Sequence, residues 1–234
     1  MGKTCVITGA GSGIGRAAAI EIAASGEFSY IALIGKTAEK LRETENLLKT
    51  SATVETIPYD LMDLEGIGAL VAGVYEKSGS IDCLLNIAGY TDPQPLLTTT
   101  VENLLTTYQT NVFAPVILIR ECVKYMKQNS NICKILNVAS TAGITPRPGW
   151  LSYSSSKAAV VSMSQTLADE LAEYGIKVYC VSPGRCATAL RRKLAPDEDQ
   201  SKIMQPEEVG HIIRDLISGT ERCLDGQNIV IRKK

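Results

Sequence analysis

The chain has 234 residues, 45% hydrophobic and 21% charged, with a formal net charge of −1; this is ordinary globular composition at a length that suits one large domain. It is not basic enough to imply a nucleic-acid partner, and no apolar run approaches the roughly 18 residues of a membrane-spanning helix. Seven scattered cysteines without a C-x-x-C pair read as small buried hydrophobes in a reducing compartment. With no signal-peptide pattern at the start, a cytoplasmic location is the expectation.

An apolar strand at 4–8 leads through Thr8-Gly9-Ala10-Gly11-Ser12-Gly13-Ile14-Gly15 into a helix at 13–25 and a strand at 30–34, a βαβ unit of about 30 residues. The alternation continues with a helix at 38–49, a strand at 54–58, a helix at 64–77 and a strand at 81–85, and then a long helix at 101–127. A strand at 134–138, a helix at 153–173, a strand at 177–181, a helix at 207–218 and a strand at 228–231 complete the series. Strands such as Val178-Tyr179-Cys180-Val181 are apolar throughout, as strands covered on both faces are. The expected fold is α/β, a doubly wound Rossmann-type three-layer arrangement with a parallel sheet of about seven strands. No repeat or linker interrupts it, so 1–234 reads as a single nucleotide-binding domain. The polar stretch at 191–200 reads as an exposed loop or short helix.

A diphosphate resting on a helix N-terminus needs backbone N–H groups and no β-carbons in the way, which Gly9, Gly11, Gly13 and Gly15 provide. The pattern is T-G-x-x-x-G-x-G, a wider turn than the usual dinucleotide fingerprint. The acid expected about 20 residues on, which would hold a ribose 2′-hydroxyl, is missing: the second strand ends Ile34-Gly35-Lys36-Thr37. Lys36, helped by Arg16, suits a 2′-phosphate instead, so NADP(H) is expected over NAD(H). Downstream, Ser140 follows a strand, and Tyr153 and Lys157 are spaced one helical turn apart. Together with the glycine turn they point to nucleotide-dependent carbonyl or alcohol chemistry. The plainer alternative, a core tyrosine with its i,i+4 neighbour, leaves Ser140 and the glycine turn unexplained. The sole histidine, His211, is far from every motif, and no His/Cys/Asp cluster has metal-ligand spacing, so no metal is expected.

With these motifs in order over nearly the whole chain, the sequence resembles the short-chain dehydrogenase/reductase family, in its single-domain branch of which 3-oxoacyl-[acyl-carrier-protein] reductases are examples. Thr8 to Gly15, with Ser12 and Ile14 inside it, is similar to the family's cofactor turn, and Asp60-Leu61 resembles its acid beside the adenine. Asn86-Ile87-Ala88-Gly89 resembles its N-N-A-G segment, and Pro183-Gly184 with Thr188 its segment flanking the nicotinamide. The resemblance implies Tyr153 as the proton donor, Ser140 as a second donor to the carbonyl oxygen, and Lys157 on the ribose hydroxyls. It also implies Asn111 holding a water that links Lys157 to solvent, although Asn111 also fits a backbone-bridging role where the long helix bends. Lys157, together with the oxidised nicotinamide, is expected to lower the Tyr153 pKa from about 10.

The chain departs from the family at Ile87 and Ala139, has few residues between Thr188 and Gln205, and stops at Lys234 without a D-G-G-type tail. A short lid suits a bulky or carrier-tethered substrate. Pocket walls are expected from 90–94, 142–150 and 185–192; Trp150 fits either a substrate wall or a subunit contact. Arg147, Arg185, Arg191 and Arg192 are candidates to attract an acidic substrate, against the plainer reading of solvated charge. Leu104, Leu105, Tyr108, Val112, Val116 and Ile119 on the long helix suit a twofold interface, so a homodimer or homotetramer is expected. The leading reading is NADPH-dependent reduction of a ketone, with a 3-oxoacyl thioester as one candidate. The alternatives are an NADP-dependent dehydrogenase of a polyol, sugar, steroid or hydroxy amino acid, and a catalytically silent NADP-binding regulatory protein.

Overall fold

The computed structural model describes residues 2–233. Strand β1 (Thr4–Thr8) is buried at every position, and the turn after it feeds α1 (Gly13–Ser25). There follow β2 (Tyr30–Gly35), α2 (Ala38–Glu45), β3 (Thr53–Pro58), α3 (Ile67–Ser78) and β4 (Cys83–Asn86). Next come α4 (Val101–Tyr108), α5 (Ala114–Met126), β5 (Cys133–Val138), α6 (Leu151–Leu171) and β6 (Ile176–Pro183). The short α7 (Ala189–Leu194), α8 (Pro206–Ile217) and β7 (Asn228–Ile231) close the chain.

All pairings are parallel, and the seven strands stand in the order β3-β2-β1-β4-β5-β6-β7. Neighbouring residues of one strand serve opposite layers, as the pleat demands. Cys5 and Ile7 pack with Ile22 of α1 and Ile213 of α8, whereas Val6 packs with Val71 of α3 and Leu118 of α5. Burying each such aliphatic side chain contributes about 1.5–3 kcal/mol, and the two layers enclose the sheet as its apolar strands require. The chain order reverses between β1 and β4, and a crevice opens there beyond the carboxyl ends of the strands. Six cysteines are buried and Cys223 is exposed.

The expected long helix at 101–127 is interrupted by a π-helical turn, Gln109–Phe113. The extra residue in that turn rotates everything after it, as though each side chain were numbered one lower. Consequently Phe113, Val116 and Arg120 are exposed, while Ile119, expected on the outer face, is only 3% exposed and packs in the core. Leu104 and Leu105 remain outward, as expected, and Val101 is exposed beside them. Among the described residues no helix is long and apolar enough to cross a membrane.

Candidate active site

The turn after β1 is shaped by how closely two backbones approach. Gly9 has φ 69°, and a β-carbon on it would lie 2.8 Å from the Ala88 Cα. Thr8 fastens the same pair of segments: its hydroxyl donates to the Leu85 carbonyl at 3.2 Å and accepts from the Ile87 and Ala88 N–H groups at 3.1 and 3.2 Å. Ser12, the residue before α1, is extended and makes no side-chain capping bond, so the first-turn N–H groups of α1 have no side-chain cap. Gly13, Ile14 and Gly15 of that turn line a cavity of about 340 Å³. An uncapped helix N-terminus beside a cradle that β-carbons would fill suits the diphosphate of a dinucleotide, and these residues fit that group.

Ser140, Tyr153 and Lys157 line the same cavity, with Gly9, Ser12, Ala88, Gly89, Pro183, Gly184 and Thr188. Ser140 stands just past β5, where its Oγ accepts from the Ala142 N–H at 3.1 Å; its own proton is therefore available to another acceptor. Tyr153 lies in the first turns of α6, half-buried, with the Trp150 ring meeting it edge-on at 5.7 Å. Lys157 is 4% exposed and donates to the Val138 carbonyl at 2.8 Å, which leaves two of its three protons uncommitted. Burial pushes its pKa down to about 8. Burial likewise raises the Tyr153 phenol, opposed by the Ser140 hydroxyl and the Arg147 guanidinium. The Lys157 ammonium is drawn toward the end of β5 and lies 5.9 Å from the tyrosine ring centroid.

Several expected site residues lie outside this cavity. Asn111, 1% exposed in the π turn, accepts from the Tyr90 N–H at 2.8 Å and donates to the Tyr90 carbonyl and the Ser156 hydroxyl at 2.9 and 3.0 Å. It clamps the loop after β4 to α6, the backbone-bridging role. It still borders the gap in front of Lys157: a β-carbon on Gly89 would lie 3.4 Å from both Asn111 Oδ1 and Lys157 Nζ, so the glycine keeps that gap open. Asn86 is buried in the sheet and donates to Asn137 at 2.9 Å, and Leu61 packs in the core. Gly11 lies against Lys40, and its carbonyl accepts from Arg16.

The two cations expected at a 2′-phosphate differ. Arg16 is committed, donating to the Gly11 carbonyl and to Glu43, both at 2.7 Å, and to Thr44 at 3.1 Å; it staples the glycine turn to α2. Lys36 sits at the open end of β2 and pairs with Asp60 at 2.6 Å, both side chains largely exposed. The Lys36 ammonium in turn holds the Asp60 carboxyl below the usual carboxylate range.

The sequence alone did not single out Thr8 as the pin between two segments, Ser156 as the partner of Asn111, or Leu194 as a cavity wall, whereas Cys186 lines the cavity from within the expected 185–192 segment. Thr8 carried a detectable signal, a hydroxyl at the last position of a strand, directly after the apolar Cys5-Val6-Ile7. The others depend on which distant loops meet, and nothing local marks them.

A family model described as short chain dehydrogenase matches residues 3–199. The chain is 30% identical to 2,3-dihydro-2,3-dihydroxybenzoate dehydrogenase of Bacillus subtilis, over 98% of this chain and 94% of that one. Among solved structures it is similar to L-sorbose reductase of Gluconobacter frateurii complexed with NADPH and L-sorbose, with 27% identity, a TM-score of 0.88, and 98% and 95% of the two chains covered. It is also similar to 3-ketoacyl-(acyl-carrier-protein) reductase of Brucella melitensis complexed with NADH, with 25% identity, a TM-score of 0.87, and 99% and 97% covered. The chain belongs to the short-chain dehydrogenase/reductase family and is an NAD(P)-dependent oxidoreductase acting on CH–OH or C=O groups.

Proposed function

We propose that this short-chain dehydrogenase works with NADP(H) to reduce a ketone to a secondary alcohol, and that Ser140, Tyr153 and Lys157 on one cavity carry the reaction. Reduced nicotinamide supplies the hydride. Tyr153 gives its phenolic proton to the carbonyl oxygen, and the raised phenol pKa keeps that proton in place at neutral pH. Ser140, whose Oγ already accepts from Ala142, donates to the same oxygen as its negative charge develops. Lys157 keeps two donors for the ribose hydroxyls and a positive charge behind the tyrosine. Replacing Tyr153 with Phe is expected to lower kcat by about 10²–10⁴-fold while cofactor binding persists; turnover retained in that variant would sink the assignment.

The preference for the phosphorylated cofactor rests on Lys36 and on the lack of an acid at the end of β2. Arg16 adds nothing to it, because its guanidinium is held by α2. The Lys36–Asp60 pair is exposed, and such pairs contribute at most about 1 kcal/mol, so Lys36 is able to turn from the carboxylate to a phosphate. Titration of the protein with NADPH and NADH checks this, and tighter NADH binding overturns it. Cofactor oxidation with a panel of ketones, including an acetoacetyl thioester, tests the reductase reading itself.

A further inference from the structure

The arginines around the cavity are not equivalent. Arg185 and Arg191 both grip Glu198, at 2.9 Å from the first and 2.6 and 2.8 Å from the second. Arg191, aided by Arg185, holds that carboxyl down at about 2. Both guanidinium groups are thus tied to one carboxylate within the lid around α7, which keeps one net positive charge. Arg147 has no carboxylate within salt-bridge distance among the described residues. Its one hydrogen bond goes to a neutral acceptor, the Thr141 hydroxyl, at 3.1 Å. A guanidinium has five N–H donors in a planar fork, so most of this fork is unused. The side chain is nevertheless positioned: its Cζ lies 5.9 Å from the centroid of the Trp150 ring, the same ring that meets Tyr153 at 5.7 Å. The indole thus packs against both the cation and the ring of the proton donor, and Arg147 lines the same cavity as Ser140 and Tyr153.

The lining chemistry sharpens the point. No aspartate or glutamate lines the cavity among the described residues, whereas Arg147, Lys157, Arg185 and Arg191 do. The diphosphate and ribose account for the turn and Lys157, and Glu198 orients Arg185 and Arg191 and offsets one of their two charges, so that Arg147 is the arginine of the cavity with no carboxylate partner among the described residues. We propose that Arg147 is a specificity residue that docks a carboxylate carried within a few bonds of the reacting carbonyl, so that the substrates of this site are oxo acids and the corresponding hydroxy acids. A planar fork fits a carboxylate through two parallel hydrogen bonds, which a neutral ester or thioester oxygen cannot match in charge. This rests on the carbonyl-reductase reading above and narrows its substrate.

The test compares matched probes with NADPH: 4-oxopentanoate against its methyl ester, and 3-oxobutanoate against its methyl ester. The acids are expected to exceed the esters in kcat/KM by about tenfold or more, as a charge-assisted pair does over a neutral one. Arg147→Gln should raise KM for the acids about 10- to 100-fold and leave KM for the esters nearly unchanged, bringing the acid-to-ester ratio toward one, while any change in kcat through Tyr153 falls on acids and esters alike; Arg147→Lys should recover part of the KM effect. Esters equal to acids in the unaltered protein, an equal rise in KM on both in Arg147→Gln, or a preference for a phosphorylated ketone over the acids overturns the proposal. A second readout separates this from the reductase reading, because it needs no turnover: nicotinamide fluorescence of the NADPH complex titrated with pentanoate and with pentanamide. Tighter binding of the acid, lost in Arg147→Gln, supports Arg147 as the anion dock even if no ketone is reduced. Equal binding of acid and amide removes it even if ketones are reduced.

Discussion

Strand β5 has a buried lysine at each end, and the two are treated differently. At its amino end Lys134, 7% exposed, donates to the carbonyls of Leu216, Ser218 and Glu221 at 3.2, 2.7 and 2.9 Å, with the Glu221 carboxylate 3.9 Å away and the Tyr179 ring 5.2 Å below. At its carboxyl end Lys157 reaches only the Val138 carbonyl and has no carboxylate within salt-bridge distance among the described residues. A buried ammonium is costly unless its donors and its charge are answered. Lys134 is answered by the protein, and it doubles as a cap on the carbonyl end of α8, where a cation suits the helix dipole. Lys157 is left partly unanswered, which is a defect in a scaffold and a requirement in a site that must bind polar hydroxyls and hold charge near a proton donor.

That contrast is broken most severely by removing the unanswered lysine. Lys157→Met is expected to reduce turnover by about 10²–10⁴-fold, yet leave the melting temperature unchanged or higher, because the substitution removes a poorly compensated buried charge without stranding a carboxylate. Circular dichroism melts alongside steady-state assays check this. A large loss of stability would mean that Lys157 holds α6 to β5 and is not reserved for cofactor and catalysis.

The opposite result belongs to Lys134. Lys134→Met leaves carbonyls of the α8 end and the Glu221 carboxylate without their cation, and about 2–4 kcal/mol of stability should go with them. Turnover at the permissive temperature should stay close to that of the unaltered protein, since the residue lies at the far end of the sheet from the cavity. Chemical denaturation measures the first and the ketone assay the second; an unchanged denaturation midpoint would show that the carbonyl clasp contributes nothing net.

The two lysines also mark the limit of what the sequence conveys. Lys157 is legible because its chemistry has a local signature: a tyrosine four residues before it, a serine after the preceding strand, and a glycine turn at the start. Lys134 sits in Cys133-Lys134-Ile135-Leu136 and reads as one polar residue in an apolar strand; its partners lie more than 80 residues on. The same distinction runs through the fold. Strand and helix order followed from apolar periodicity, because both layers bury their faces in the regular way. Ile119 was misplaced because a single extra residue in the π turn, invisible to periodicity, rotates the face of α5. Arg16 and Lys36 looked like a matched pair of phosphate ligands, but Glu43 and Asp60 reach them across the fold, and only the exposed pair is weak enough to exchange. Local motifs reveal which residues chemistry requires; whether a charge is free to act depends on contacts that only folding creates.

The smallest effect is one of pH, and burial lowers the pKa of both lysines, at Lys134 against the opposing pull of the Glu221 carboxylate. The folded pKa of Lys157 is pushed to about 8 from an ordinary value of 10.5. Below about 8 the lysine is charged whether the chain is folded or unfolded, and the folded state bears the full penalty of a buried ammonium. Between 8 and 10.5 the unfolded chain binds the extra proton, so stability rises with pH across that window, and above it the penalty is gone. Activity should move the other way. The phenol of Tyr153 is raised and stays protonated, but the Lys157 charge disappears, so kcat/KM for the reduced cofactor should fall above pH 8 by up to about tenfold per pH unit. Melts of the unaltered protein and Lys157→Met compared from pH 7 to 10 give the stability half: the variant's advantage should shrink as pH rises. An activity limb centred above pH 9.5, or a melting difference that does not vary with pH, would show that the charge of Lys157 is answered within the folded protein.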